Sequence, residues 1–325
     1  MVKKSPHFLL ICSGLFALII LIGFVSMFPK EEDKPKVAVV LKIGSAEYWK
    51  MVEIGARKAF QDFGIDGEII AAPFKYNEHE KQQLNMLKQA LDKNPDALIV
   101  APNESSAIPI LEEYTKKNIP VLMVDTDIGW SKQTTFIGTD NYVLGKKSAE
   151  LLISKLQSGD KVVILGGNEY DPVMIARIKG AKESFKAAGI EVAVEQHDIG
   201  GFDSSKSAVE VILKTTPDID GVFASNDEMA LGALKAIEEK GMQIPVMGTD
   251  GIMDILKLVK KGEMDAAIAQ NTYDMGYISV EQALKAIENK AVEKKVDVGI
   301  DIITKENVQE RMDFWGKTLN KPQPK

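Results

Sequence analysis

Eight side chains in this sequence sit at the same kind of place, just beyond a short apolar run or in the turn or helix that follows it. Tyr48 and Trp49 come after Val37–Leu41, Asp125 directly follows Val121–Val124, and Arg177 lies in the helical pattern after Gly166. Phe202 comes after Glu191–His197, Asn226 after Gly221–Ser225, Asp250 after Val246–Gly248 and Gln270 after Ala266–Ala269. If the runs are strands of an open α/β sheet, these positions face the crevice where such sheets bind ligands. Together they offer three rings, two carboxylates, one guanidinium and two amides. A vicinal polyol suits that inventory. Each hydroxyl both donates and accepts, so carboxylates, amides and Arg can hold it with paired hydrogen bonds. The C–H faces of a sugar ring are apolar and stack on flat aromatic surfaces. Taken singly, each residue also has a structural explanation: Tyr48, Trp49 and Phe202 as core, Asp125, Asn226 and Asp250 as caps or turn residues, Arg177 and Gln270 as solvated side chains. Their recurrence at one position in successive units is what argues for a ligand.

Other chemistries find little support. No phosphate-binding glycine loop, nucleophile elbow or zinc-protease motif occurs, and no nucleophile stands at a recognisable spacing from a base. The expectation is a protein that is not an enzyme, with no catalytic residues and no cofactor. One Cys and three scattered His argue against a metal centre. A net charge of −7, with 40 basic against 47 acidic side chains and no basic cluster, argues against nucleic acid, which needs concentrated Lys and Arg.

The elements that must position the eight residues are readable from periodicity. Runs of four to six apolar residues (Val37–Leu41, Ala97–Ala101, Val121–Val124, Lys161–Gly166, Gly221–Ala224, Pro245–Gly248) read as strands buried on both faces of a parallel sheet. Between them lie amphipathic helical stretches, among them Trp49–Phe63, Glu78–Lys93, Leu144–Leu156, Ile175–Ala188 and Met229–Lys240. Gly64, Gly189 and Gly241 follow three of these, as helix C-terminal signals do. There are more βα units than one sheet needs. The predicted fold class is α/β, with two similar doubly wound parallel-sheet lobes.

The N-terminus has a different character. Lys3 and Lys4 precede the apolar run Phe8 to Phe28, about long enough to cross a hydrocarbon core as a helix. Pro29–Pro35 is a polar linker, and basic residues before the run with acidic ones after it predict a cytoplasmic N-terminus. A cleaved signal peptide would want a small-x-small site, which Gly23–Phe28 does not offer, and a lipoprotein would want a small residue before Cys12. An uncleaved anchor over 1–28 and a linker over 29–35 are the expectation, placing the rest of the chain outside the cell membrane as a single-pass protein.

At this point the motifs resemble a known family. The stretch Gly221-Val222-Phe223-Ala224-Ser225-Asn226-Asp227-Glu228-Met229-Ala230-Leu231-Gly232-Ala233 is similar to that of the type I periplasmic sugar-binding proteins, the ribose, galactose and xylose receptors of ABC importers. Ile137–Asn141, Arg177–Gly180, Gly248–Gly251 and Ala267–Gln270 support it, over residues 36 to about 305. The resemblance implies a three-strand hinge, with crossovers near Thr139–Asn141, Gln270–Thr272 and Val298–Ile300. It implies an N-terminal lobe of 36–139 plus 271–299 and a C-terminal lobe of 140–270 plus 300–325. It implies ring-stacking roles for Tyr48, Trp49 and Phe202, and sugar-binding roles for Asp125, Arg177, Asn226, Asp250 and Gln270. Two departures stand out: Ala46-Glu47 precedes the aromatic pair where ribose receptors have Asn-Pro, and Thr126 replaces an Arg. These turn the expectation away from ribose held in the ribose-receptor way, towards a pentose such as xylose. The partner expected is a membrane protein, either an ABC permease or a sensor histidine kinase.

Overall fold

The computed structural model describes residues 34–71 and 79–319; the expected anchor, most of the linker and the C-terminal residues 320–325 lie outside them. Three sheets organise the chain. The first is wholly parallel, with strands β1 (Lys36–Leu41), β2 (Asp66–Ala71), β3 (Ala97–Val100), β4 (Val121–Val124), β5 (Thr135–Gly138) and β11 (Lys295–Asp297) in the order β11-β5-β4-β3-β1-β2. The second, also parallel, contains β6 (Lys161–Leu165), β7 (Glu191–Gln196), β8 (Gly221–Ala224) and β9 (Val246–Met247) in the order β7-β6-β8-β9. β10 (Ala266–Gln270) and β12 (Ile300–Thr304) pair antiparallel. Among the strands read as apolar runs, β3, β4 and β8 are buried at every residue, as a sheet covered by helices on both faces requires.

Each of the two parallel sheets reverses its strand order once, between β1 and β3 in the first and between β6 and β8 in the second. Those reversals open the crevices in which such folds bind ligands. The helices are α1 (Glu47–Phe63), α2 (His79–Asp92), α3 (Ile108–Lys116), α4 (Asn141–Ile153), α5 (Pro172–Ala187), α6 (Phe202–Thr215), α7 (Asp227–Glu239), α8 (Met253–Lys261), α9 (Thr272–Ile287) and α10 (Val308–Leu319). The chain passes between lobes three times: from β5 into α4, which packs on α5; from β10 into α9, which packs on α1; and from β11 into β12. This is the two-lobed, doubly wound α/β architecture with a three-strand hinge.

The lobes repeat one packing device. A Cβ on Gly55 of α1 would lie 2.0 Å from the Tyr273 carbonyl oxygen of α9, and one on Gly276 would lie 2.0 Å from that of Val52. In the other lobe, Gly145 of α4 meets the Arg177 carbonyl oxygen at 2.0 Å and Gly180 of α5 meets that of Tyr142 at 2.1 Å. In each pair, the helix entered from a crossover is thus seated against its neighbour backbone to backbone. Among the described residues no helix is long and apolar enough to cross a membrane.

Candidate functional site

The side chains singled out from sequence converge from both lobes, though not all in the same way. Asp125 ends β4 in a left-handed conformation, φ 66°, which a short polar side chain tolerates better than most. Its backbone N–H remains tied to Ile137 on β5, so the turn aims the carboxylate while the ladder continues. Asp125 Oδ1 accepts from the Tyr48 hydroxyl at 2.6 Å and Oδ2 from the Thr126 hydroxyl at 2.7 Å. The Tyr48 hydroxyl also lies 3.2 Å from Gln270 Oε1. Burial, and then the neighbouring Asp125 carboxylate, push the Tyr48 phenol well above its ordinary range, so it stays a donor.

From the second lobe, Arg177 is 3% exposed and braced by four groups. Nε donates to Asn141 Oδ1 at 2.9 Å, and Nη1 reaches the Ser225 carbonyl, Thr249 Oγ1 and Asp250 Oδ1 at 2.8, 2.8 and 3.1 Å. Gln270 Nε2 donates to the same Asp250 oxygen at 2.9 Å. Tyr48, Asp125, Arg177, Asp250 and Gln270 therefore form one hydrogen-bonded chain running from the end of β4 to the end of β9.

Beneath it, Asp227 is 1% exposed and accepts from the backbone N–H groups of Thr249, Asp250 and Ile252 at 2.8, 3.1 and 2.9 Å. Burial first, and the Asp250 carboxylate second, push its carboxyl up to about 7 despite those donors. Asp227 is the brace that sets the turn carrying Asp250.

Phe202 and Asn226 stand apart from this chain. With Ile43, Ser45, Ala46 and Glu228 they line a cleft cavity of about 550 Å³. Phe202 is 41% exposed, a flat surface available to a ligand. Asn226 Oδ1 accepts from Met229 N at 2.8 Å and so caps α7, leaving its amide nitrogen to the cleft. Trp49 is 7% exposed and packs in the core of the first lobe, edge-on to the Tyr48 ring at 5.2 Å between centroids.

Five further residues, none of them among the eight, shape the site. Lys42, at the end of β1, lies 3.4 Å from Asp171 and 3.9 Å from Asp125. Glu47, at the start of α1, accepts from the backbone N–H of Met253 at 2.7 Å and thereby satisfies the first turn of α8 in the opposite lobe. Thr249, Asn141 and Asp227 position Arg177 and Asp250. Position alone could have flagged Thr249 and Asp227, each adjacent to a chosen residue.

A set of hydroxyl-binding groups at the carboxyl ends of two facing sheets finds its counterpart in the comparison with known proteins. Residues 37–291 match the family model described as a periplasmic binding protein domain. The chain belongs to the type I periplasmic sugar-binding protein family. This binding protein is 32% identical over 231 residues to the ribose import binding protein of Bacillus subtilis, covering 70% of this chain and 74% of that one. Among solved structures it is similar to a solute-binding protein of Actinobacillus succinogenes with bound D-allose, 28% identical with a TM-score of 0.78, covering 85% of this chain and 100% of that one. It is also similar to one from Agrobacterium radiobacter in complex with D-arabinose, 26% identical with a TM-score of 0.80, over 88% and 99% of the two chains.

Proposed function

We propose that this protein is a membrane-anchored, extracytoplasmic monosaccharide receptor that closes on its sugar and presents the closed form to a membrane partner. The observation that carries the reading is the hydrogen-bonded chain from Asp125 to Arg177, which draws on both lobes and ends in groups able to hold vicinal hydroxyls. Tyr48, Trp49 and Phe202 supply the rings, and Asp125, Arg177, Asn226, Asp250 and Gln270 the polar contacts. The lobes are taken as 36–139 with 271–299, and 140–270 with 300–325. No catalytic step or cofactor is needed.

A pentose is favoured over a hexose because the Tyr48 hydroxyl already occupies one oxygen of Asp125 and approaches Gln270. The names of the relatives, which include ribose and D-allose, support a second reading, an importer component for ribose or a hexose; that reading takes the N-terminal segment as cleaved. Intact mass of membrane-extracted protein separates the two, since the anchored receptor retains residues 1–28.

The binding test is calorimetric titration of the full chain with D-xylose, D-ribose, D-arabinose and D-allose. Asp125→Ala and Asp250→Ala should each weaken the preferred sugar by about 2–4 kcal/mol, because a hydroxyl loses a charged partner in a desolvated site. Wild-type affinity in both variants would place the site elsewhere. Pull-down from membranes with and without sugar tests the partner, expected to be an ABC permease or a sensor kinase. A partner that is retained equally in both states would mean that closure is not what it reads.

A further inference from the structure

Two helices of opposite lobes start without a capping side chain of their own and meet at one carboxylate. α1 begins after Ala46 and α8 after Ile252, and neither residue's side chain bonds the helix it precedes. Glu47 is the first residue of α1, and its Oε1 accepts from the backbone N–H of Met253, the first residue of α8, at 2.7 Å. An N–H at that place has no partner within its own helix, so the carboxylate supplies what the local sequence does not. Asp254, the acid of α8's own first turn, bonds Lys257 at 2.8 Å instead. At Glu47 the positive ends of both helices favour a negative charge.

The turn that Glu47 grips is the one that carries Asp250. Asp227, from within the second lobe, takes the N–H groups of Thr249, Asp250 and Ile252, and Glu47, from the first lobe, takes the next one along. Inside the turn, Gly251 holds φ 72°, and a Cβ there would lie 2.4 Å from that of Ala269 on β10. The turn is thus pressed against β10 and tied to a carboxylate of each lobe. Asp250 in turn accepts from Arg177 at 3.1 Å and from Gln270 at 2.9 Å, so a shift at the start of α8 reaches both. The Met253 side chain packs beside Met51, Ile54 and Trp315, which gives the contact an apolar backing from α1 and α10.

We infer that Glu47 is a positioning residue of the sugar site: reaching from the first lobe, it caps α8 of the second and fixes the turn that presents Asp250 to the ligand. Its effect on binding rests on the proposed sugar site, whereas the cap itself can be read without a ligand. Because the cap joins the lobes, its loss loosens the Asp250 turn and leaves the core of each lobe intact.

The test uses the full chain and two variants, Glu47→Ala and Glu47→Gln. Hydrogen exchange is followed by mass spectrometry, without sugar, in peptides covering residues 248–254 and, as a reference, residues 203–214 of α6. In Glu47→Ala the first segment should exchange at least about fivefold faster than in wild type, since local opening no longer breaks a charged hydrogen bond, and α6 should be unchanged. Calorimetric titration with D-xylose, D-ribose, D-arabinose and D-allose then reads binding. The Kd of the tightest of them should rise about tenfold in Glu47→Ala. Glu47→Gln, which keeps an acceptor oxygen without the charge, should fall between wild type and Glu47→Ala in both measurements. Exchange in 248–254 that matches wild type in Glu47→Ala, or that speeds up equally in α6, overturns the cap. Faster exchange with wild-type affinity overturns the positioning role. A wild type that binds none of the four sugars overturns the sugar reading and with it the role in binding, while the exchange measurement still decides the cap.

Discussion

Lys42 and Asp171 meet across the cleft at 3.4 Å, one from the end of β1 in the first lobe and the other from the N-cap of α5 in the second. Both side chains are largely buried, at 13% and 16% exposure, and Asp171 also accepts from the backbone N–H of Val173 at 2.8 Å. The pair exists only when the lobes are together, so it contributes to closure rather than to either lobe alone. Lys42→Met should weaken sugar binding by about tenfold, as two partly buried carboxylates, Asp171 and Asp125, lose their cation. Calorimetry on the variant at low and high salt checks this. Unchanged affinity would assign closure to other contacts, of which Glu47 with Met253 is the next in line.

Gly145 controls Arg177 from outside the site. An added Cβ would lie 2.0 Å from the Arg177 carbonyl oxygen and 2.6 Å from its Cα, so α5 must move at that residue. Gly145→Ala is expected to cost about 1–3 kcal/mol in unfolding free energy, as overpacking does. It should weaken sugar binding as well, because the guanidinium bonds to Asn141, Thr249 and Asp250 all start from that backbone. Urea unfolding and calorimetry on one variant read both effects. A loss of stability with intact affinity would show that the side chain absorbs the shift.

The contrast between what was legible in the sequence and what was not follows from range. β1, β3, β4 and β8 could be read because a strand covered on both faces is a continuous apolar run. β2 was not among the strands read, since Asp-Gly-Glu-Ile-Ile-Ala at a sheet edge opens with two acidic residues around a glycine, leaves Asp66 and Glu68 exposed and buries none of its residues fully. β12, with two exposed residues and an antiparallel partner, carries no local mark of its role in the hinge. Asp125 and Asp250 were legible by position, because each directly follows a strand or its turn. Lys42 was not, as its importance rests on Asp171, 129 residues further along the chain.

Asp227 gives the protein a particular dependence on pH. Its carboxyl is pushed up to about 7 in the folded state against an ordinary value of 3.8. Between those values the native state holds a proton that the unfolded chain has released. The contribution of this group is therefore largest at low pH and is lost as pH rises through about 7. In urea unfolding at pH 5, 6, 7 and 8, the stability difference between wild type and Asp227→Asn should shift against the wild type with rising pH, by on the order of 1–3 kcal/mol across the range. A difference that is flat with pH would mean that the backbone donors from Thr249, Asp250 and Ile252 keep the carboxylate ionised throughout.

In the proposed site, the Tyr48 hydroxyl limits the room for a sugar beside Asp125. It donates to Asp125 Oδ1 at 2.6 Å and lies 3.2 Å from Gln270 Oε1, so two acceptors that could each receive a sugar hydroxyl share one phenolic proton. Tyr48→Phe keeps the ring and its edge-on contact with Trp49 but removes that donor. The unliganded protein should lose about 1–2 kcal/mol of stability, since a buried carboxylate oxygen goes unpaired. A sugar with one more hydroxyl can then supply the missing bond and fill the space. If the proposed preference for a pentose holds, affinity for D-xylose should fall or stay level while affinity for a hexose rises, a change of preference of about tenfold or more. Paired titrations of wild type and Tyr48→Phe with D-xylose and D-allose measure it directly. If both sugars lose affinity by the same factor, the hydroxyl only braces Asp125, and the size limit on the ligand lies elsewhere in the cleft.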